Sequence, residues 1–389
     1  MMLEILLVFL LPFAAWAGWY AARVSSRHGE KRRSRQLSNR YFQGLNYLLN
    51  EQPDKAIQLF TQMAEVNRDT VETHLALGSL FRRRGEVDRA ISLHQNIISK
   101  RNLDEQQRTM ALLELGEDYM RAGLFDRAEK LFSELVERKI QTPSALSNLL
   151  DIYQQEKEWE QALDIAGRLA KVDPASRAVS MCHFCCELAE AAFDGGETEL
   201  ARKYLGKARR HDPESVRVEM IHARIAQASG DSEGAMSHFE RIAELDSDYL
   251  HDILESYFET AEESGALDRA REHLSKWTEH YDGVTALLKQ ASFIEQDEGG
   301  VAAAQYLSQN LSARPSVRGL QHLLTLRDTA PSASAAAESV LQAVTEGLLR
   351  SQSIYRCSHC GFSGHSHHWL CPSCRTWGTT RVIRGVLGE

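Results

Sequence analysis

Leu77-Gly78-Ser79-Leu80-Phe81-Arg82-Arg83-Arg84-Gly85-Glu86-Val87-Asp88-Arg89-Ala90-Ile91 is the stretch that decides the fold. Its small and large residues return in Leu115-Gly116-x-x-Tyr119-x-x-x-Gly123-x-x-x-x-Ala128. The alanine recurs at Ala56, Ala90, Ala128, Ala162, Ala201, Ala235, Ala270 and Ala303, at intervals of 34, 38, 34, 39, 34, 35 and 33 residues. A small residue late in one helix (Gly44, Gly78, Gly116, Ala189, Ala223) lets a second helix come close, and the expectation is that it does so at its own alanine. Gly85, Gly123, Gly196, Gly230 and Gly265 fall where the chain must turn between the two helices, with no Cβ to resist the turn. Pro174, Pro213 and Pro315 fall at repeat ends, where a helix must stop.

A period near 34 with these residue types is the signature of the tetratricopeptide hairpin. About eight hairpins cover residues 37–327, and each buries its core against its neighbours, so no single globular centre is needed. The concave side of such a stack, lined by the first helix of each repeat, normally holds an extended peptide or a partner helix. The pattern is loosest at Leu150, at Phe258 and over residues 291–310.

Upstream, Ile5 to Ala22 carries no charge over 18 residues, near the lower limit for a bilayer span. Trp16, Trp19 and Tyr20 lie toward its end, where interfacial aromatics are favoured. Arg23, Arg27, Lys31, Arg32, Arg33, Arg35 and Arg40 follow, against the single acid Glu30. Ala15-Trp16-Ala17 resembles a signal-peptide cleavage site, but a signal peptide carries its positive charge before the apolar run. The reading is therefore a single-pass anchor over residues 1–22 and a basic juxtamembrane segment over 23–36, with the bulk of the chain facing the cytoplasm. The basic residues set that topology and are drawn to anionic lipid, and docking to a partner's acidic segment is the other reading.

Residues 328–350 shift in composition around Pro331 and read as a connection that becomes a helix. The last segment, 351–389, holds Cys357-Ser358-His359-Cys360 and, ten residues on, Cys371-Pro372-Ser373-Cys374. Two Cys-x-x-Cys pairs supply four thiolates, each pair wrapping one side of a tetrahedral ion. With few apolar residues (Phe362, Trp369, Leu370, Trp377), this piece needs the metal for much of its folding energy. Four sulfurs suit zinc and iron alike, and a structural site favours zinc. His359, His365, His367 and His368 read as loop residues beside a site already complete in sulfur. Cys182, Cys185 and Cys186 share a helix face and read as packing residues. Because repeat stability is mostly nearest-neighbour, loss of one ligand is expected to loosen this segment and leave the array folded.

The chain carries a formal charge of −9 over 389 residues, which argues against a nucleic-acid partner. Phosphate-loop, zinc-protease and nucleophile-elbow motifs do not occur, and a closed four-thiolate site offers no open coordination position. The reading is a non-enzymatic binding protein.

Anchor, repeat array and terminal knuckle pair together resemble the lipopolysaccharide assembly protein B family of Gram-negative bacteria, over essentially the whole chain. The matching stretches are residues 77–91, Tyr355-Arg356-Cys357-x-x-Cys360-Gly361-Phe362, Cys371-Pro372-Ser373-Cys374-Arg375 and Ile383-Arg384-Gly385. The resemblance implies an all-α tetratricopeptide-repeat superhelix with an N-terminal transmembrane helix and a small rubredoxin-like metal domain. It further implies an inner-membrane adaptor in lipopolysaccharide regulation. Its partners would be the membrane AAA+ metalloprotease, the deacetylase that commits precursors to lipid A, and an inner-membrane sensor protein that opposes it. A passive scaffold for biosynthetic and export proteins is the alternative, and monomer and homodimer both stay open. The knuckle pair departs from true rubredoxins in its short separation and in Arg375, where they carry glycine.

Overall fold

The computed structural model describes residues 42–389 except 45, 48–51, 67–70, 102, 140–141, 172–173 and 328–334. The apolar run from Ile5 to Ala22 and the basic segment after it lie outside the described residues. Among the described residues, no helix is long and apolar enough to cross a membrane. The chain divides into two compact units, Met1–Glu156 and Lys157–Glu389.

The described helices of the first unit are α1 (Pro53–Val66), α2 (Val71–Arg84), α3 (Val87–Ile98), α4 (Glu105–Arg121), α5 (Phe125–Glu137) and α6 (Thr142–Glu156). The second unit continues with α7 (Trp159–Leu169), α8 (Pro174–Asp194), α9 (Thr198–His211), α10 (Val216–Ala228), α11 (Ser232–Leu245) and α12 (Leu250–Ser264). It ends with α13 (Leu267–His280), α14 (Thr285–Glu298), α15 (Gly300–Ala313), α16 (Val317–Arg327) and α17 (Ala335–Ser351), followed by three short strands. Those strands form the only sheet among the described residues, and the repeat array is all-α.

All eight repeat alanines have no exposed surface. The close approach, however, is made one turn beyond the alanine. A Cβ placed on Gly44, Gly78 or Gly116 would come within 2.5, 2.3 or 2.6 Å of the ring of Phe60, His94 or Phe132. These rings stand four residues after Ala56, Ala90 and Ala128, so the alanine clears the path and the next ring fills the glycine's place. The five inter-helix glycines all adopt positive φ, and Gly265 caps α12 in the left-handed region. Lys157 stands at the same position relative to Ala162 and takes the left-handed conformation without being glycine, at φ 60°.

His94 occupies a slot that two neighbouring repeats fill with phenylalanine. It is fully buried and hydrogen-bonded through Nδ1 to the equally buried Asp118 carboxylate. Asp118 also accepts from Arg82 Nη1 at 2.7 Å, and Arg82 Nη2 donates to Glu114 and Glu117. A buried polar ring is tolerated here because each of its neighbours is paired. In the second unit Cys182, Cys185 and Cys186 have no exposed surface and share a core with Ala189, Ala201 and Leu205, which is the packing role expected of them.

Candidate metal centre

Strand β1 (Tyr355–Cys357) pairs antiparallel with β2 (Ser363–Gly364) on one side and with β3 (Thr380–Val382) on the other. Cys357 ends β1 and Cys371 follows the Leu370–Trp377 bridge, so the sheet brings the two Cys-x-x-Cys loops face to face. The Sγ atoms of Cys357, Cys360, Cys371 and Cys374 all lie within 4.8 Å of one another. Cys357 to Cys374 and Cys360 to Cys371 are both 3.7 Å. Sulfurs at ~2.3 Å from a tetrahedral ion sit about 3.8 Å apart, so the four residues fit such an ion.

The surroundings favour thiolate at Cys357 and Cys374 and oppose it at Cys371. The Thr379 hydroxyl, 3.2 Å from Cys357 Sγ, and the backbone N–H groups of His359 and Cys360 hold the Cys357 thiol down at about 6. Burial pushes Cys371 up to about 11, against the N–H groups of Cys374 and Ser373. Each loop closes with a residue at positive φ after its second cysteine: Gly361 at 79° and Arg375 at 54°. Arg375 thus performs the turn that a glycine performs in the first loop. A bound ion would cross-link the two loops, and the four cysteines would be its complete ligand set.

Of the four histidines in this region, His367 is the one that packs against the repeats. It stands edge-on to Trp369 at 4.5 Å and packs on Tyr249 and Tyr355. Burial, ahead of its charged neighbours, depresses its pKa.

The metal domain is seated on the repeats of its own unit. Trp377 stacks on His183 of α8, and Trp369 stacks on Tyr249 at 5.6 Å just before α12. The buried Arg217 guanidinium of α10 lies 5.6 Å from the Trp369 ring and 5.8 Å from the Trp377 ring, and donates to Glu187 and Glu190 at 2.7 Å. Tyr355 donates to Asp252 of α12, Arg381 to the Tyr249 hydroxyl at 2.7 Å, and Arg384 to Asp248. Glu389 accepts from the Thr285 N–H of α14 and from Arg318 of α16. His183, Arg217, Asp252 and Thr285 each stand eighteen residues before a repeat alanine, so one register position in four successive repeats faces the metal domain. Sequence reasoning singled out the cysteines and missed this row.

The segment is therefore packed into its own unit. Trp369, partly buried, packs against the hydrophobic core built from α10 through α14.

A family model described as Rubredoxin metal binding domain matches residues 355–381, and Tetratricopeptide repeat models match 73–108, 113–178 and 186–249. Lipopolysaccharide assembly protein B of Escherichia coli K12 is 38% identical over 389 residues, covering 100% of both chains. This chain belongs to the lipopolysaccharide assembly protein B family. A second member of the family, from Haemophilus influenzae, is 34% identical over 97% of this chain and 98% of its own. A solved structure of Pseudomonas aeruginosa PilF aligns over 54% of this chain and 91% of its own, at 17% identity and a TM-score of 0.34. That likeness is too slight to add to the family assignment.

Proposed function

We propose that this chain is a non-enzymatic protein-binding regulator of lipopolysaccharide assembly, held at the inner membrane by residues 1–22. Full-length similarity to two curated members of the family supports the lipopolysaccharide role. Tetratricopeptide repeats are interaction surfaces by construction, because stacked hairpins leave one face of every first helix open. The observation that carries the proposal is the row His183, Arg217, Asp252 and Thr285. By docking there, the metal domain braces the repeats of its own unit and adds a second face beside them.

Within that role the finer reading is an adaptor. The chain brings the lipid A committing deacetylase to the membrane AAA+ metalloprotease, and an inner-membrane sensor protein opposes it. Protease, substrate and adaptor must meet at the bilayer, and an anchor raises their effective concentration by confining them to two dimensions. Zinc in the four-cysteine site would serve the brace. Pulse-chase of the deacetylase tests this reading. Deleting residues 1–22, or disrupting the knuckles with Cys371→Ser, is expected to lengthen deacetylase lifetime. Unchanged lifetime in both variants, with lipopolysaccharide assembly still impaired, would identify a passive scaffold instead.

A further inference from the structure

Helix α9 (Thr198–His211) presents one sign of charge to solvent. It carries Arg202, Lys203, Lys207, Arg209 and Arg210 against the single acid Glu199, in a chain whose formal charge is −9. All five cations are exposed, while Ala201, Leu205 and Ala208 turn inward to the core they share with Cys182 and Cys186. Arg202, Gly206 and Arg210 follow one another at four-residue steps, and Lys203 and Lys207 form a row beside them. The helix dipole accounts for Arg209 and Arg210 in the last turn, but not for Arg202, Lys203 or Lys207 before it.

These cations lack the partners that a neighbouring helix of the same unit provides. On α13, Lys276 pairs with Glu272 at 2.7 Å, Arg269 with Glu240 at 2.6 Å and Arg271 with Asp297 at 2.7 Å. On α9, Arg209 is paired with Glu219, and Arg202 reaches Glu199 only at 4.0 Å. Among the described residues, Lys203, Lys207 and Arg210 make no ion pair, and the Lys207 ammonium lies 4.9 Å from the Tyr204 ring instead. Glu160 of α7 comes near but accepts from the Tyr204 hydroxyl at 2.8 Å.

Gly206 lies in the middle of that face. A Cβ there would meet nothing within 4 Å, so packing does not call for glycine as it does at Gly78 and Gly116. Glycine in a helix interior weakens the helix relative to alanine, because it gives up more backbone freedom on folding. What it leaves here is a bare, exposed patch of backbone ringed by Arg202, Lys203, Lys207 and Arg210. No exposed residue of α9 is apolar. Protein-binding surfaces centre on apolar and aromatic anchors. A face of charge without such an anchor fits a partner that offers charge without shape.

We propose that Arg202, Lys203, Lys207 and Arg210, grouped around Gly206, form a contact surface for the anionic headgroups of the bilayer that holds the chain. Each Lys or Arg close to an anionic leaflet contributes about fivefold to partitioning, so four of them together hold this face to the lipid. A tether also keeps the face at high effective concentration near the membrane, which an acidic segment of a diffusing protein does not share. The inference rests on the reading that residues 1–22 anchor the chain, and adds a second, electrostatic contact far along it.

The test uses the full-length, metal-loaded chain in neutral nanodiscs of phosphatidylcholine and in nanodiscs that also contain phosphatidylglycerol. Lysine acetylation is followed residue by residue by mass spectrometry. Lys203 and Lys207 are expected to react roughly threefold or more slowly in the anionic discs, while Lys276 on α13 reacts equally in both. Salt that shortens the Debye length from about 10 Å to about 3 Å is expected to remove the difference. Arg202→Glu with Arg210→Glu, which leaves both reporter lysines in place, is expected to remove it too, with helix content and bound metal unchanged. If that variant loses helix, Arg202→Gln with Arg210→Gln carries the same comparison. Equal reactivity of Lys203 and Lys207 in the two kinds of disc overturns the proposal. Protection by added poly-glutamate but not by anionic discs overturns it as well, in favour of an acidic protein segment. Protection in neutral discs that grows with chain concentration does the same in favour of a second copy. A chain that fails to enter the discs refutes the anchor instead; the same slowing is then expected with anionic vesicles added in solution, and its absence overturns the α9 contact.

Discussion

The imidazole of His183 stacks on the indole of Trp377 with ring centroids 4.8 Å apart and planes 16° from parallel. This pair fastens the metal domain to α8. Three positions before Trp377 stands the metal ligand Cys374, so the stack lies next to the site it steadies.

That adjacency shapes the first prediction. Cys371→Ser is expected to remove stoichiometric metal and to release Trp369 and Trp377 from Arg217, Tyr249 and His183. Tryptophan emission should shift to the red, and amide protection should fall in α8, α10 and α12, while α2 to α5 keep theirs. Mass spectrometry of bound metal and hydrogen exchange read both effects. Unchanged protection in α8 through α12 after metal loss would show that docking does not depend on the ion.

The second prediction is a pH dependence with a definite sign. Burial first, then the Arg217 charge, lower the His183 pKa from 6.5 to about 3. As pH falls below 6.5 the released or unfolded histidine takes up a proton and the docked one does not, so acid weakens docking until about pH 3. Between pH 7 and pH 5 the loss is about 2 kcal/mol. Glu389, lowered from 4.5 to about 2, adds a loss of its own only below about 4.5. His183→Phe is expected to reduce the dependence between pH 7 and 5, with His367, whose pKa burial also lowers, supplying the remainder, as read by urea denaturation followed through tryptophan. A variant with the same slope as the parent would remove His183 as its source.

The third prediction concerns His94. Phenylalanine would match Phe60 and Phe132, and repeat consensus alone would favour it. It would also remove one partner of the buried Asp118, leaving that carboxylate to Arg82. His94→Phe is expected to destabilise the first unit by about 1–3 kcal/mol in denaturant titration. A neutral or stabilising result would mean that Arg82 satisfies Asp118 by itself.

The fourth prediction concerns two left-handed residues. Lys157 and Arg375 stand where equivalent turns carry glycine, at φ 60° and 54°. Lys157→Gly and Arg375→Gly are each expected to stabilise by about 1 kcal/mol, since glycine adopts this conformation without the Cβ clash. Thermal melts of the metal-loaded chain read the change. A lowered midpoint in either variant would show that the side chain contributes more than its backbone strain costs.

The repeat period, the turn glycines and the four cysteines were legible in the amino-acid sequence because each records a short-range constraint. A hairpin closes within some 34 residues, and a left-handed turn demands its residue type locally. A Cys-x-x-Cys loop carries its own geometry in the same way. Even there the tertiary structure corrected the detail, since it is Phe60, His94 and Phe132, not the alanines, that fill the space left by the glycines. The docking row was written in the sequence as well, at a constant eighteen residues before each alanine, but as His183, Arg217, Asp252 and Thr285 it has no shared chemistry to mark it. Those residues acquire a common role only through partners far along the chain, such as Tyr355 for Asp252 at a separation of 103 and Glu389 for Thr285 at 104. Contacts that distant leave a register position but no shared residue type, because what selects them is the surface that the stacked helices make together, and that surface exists only after folding.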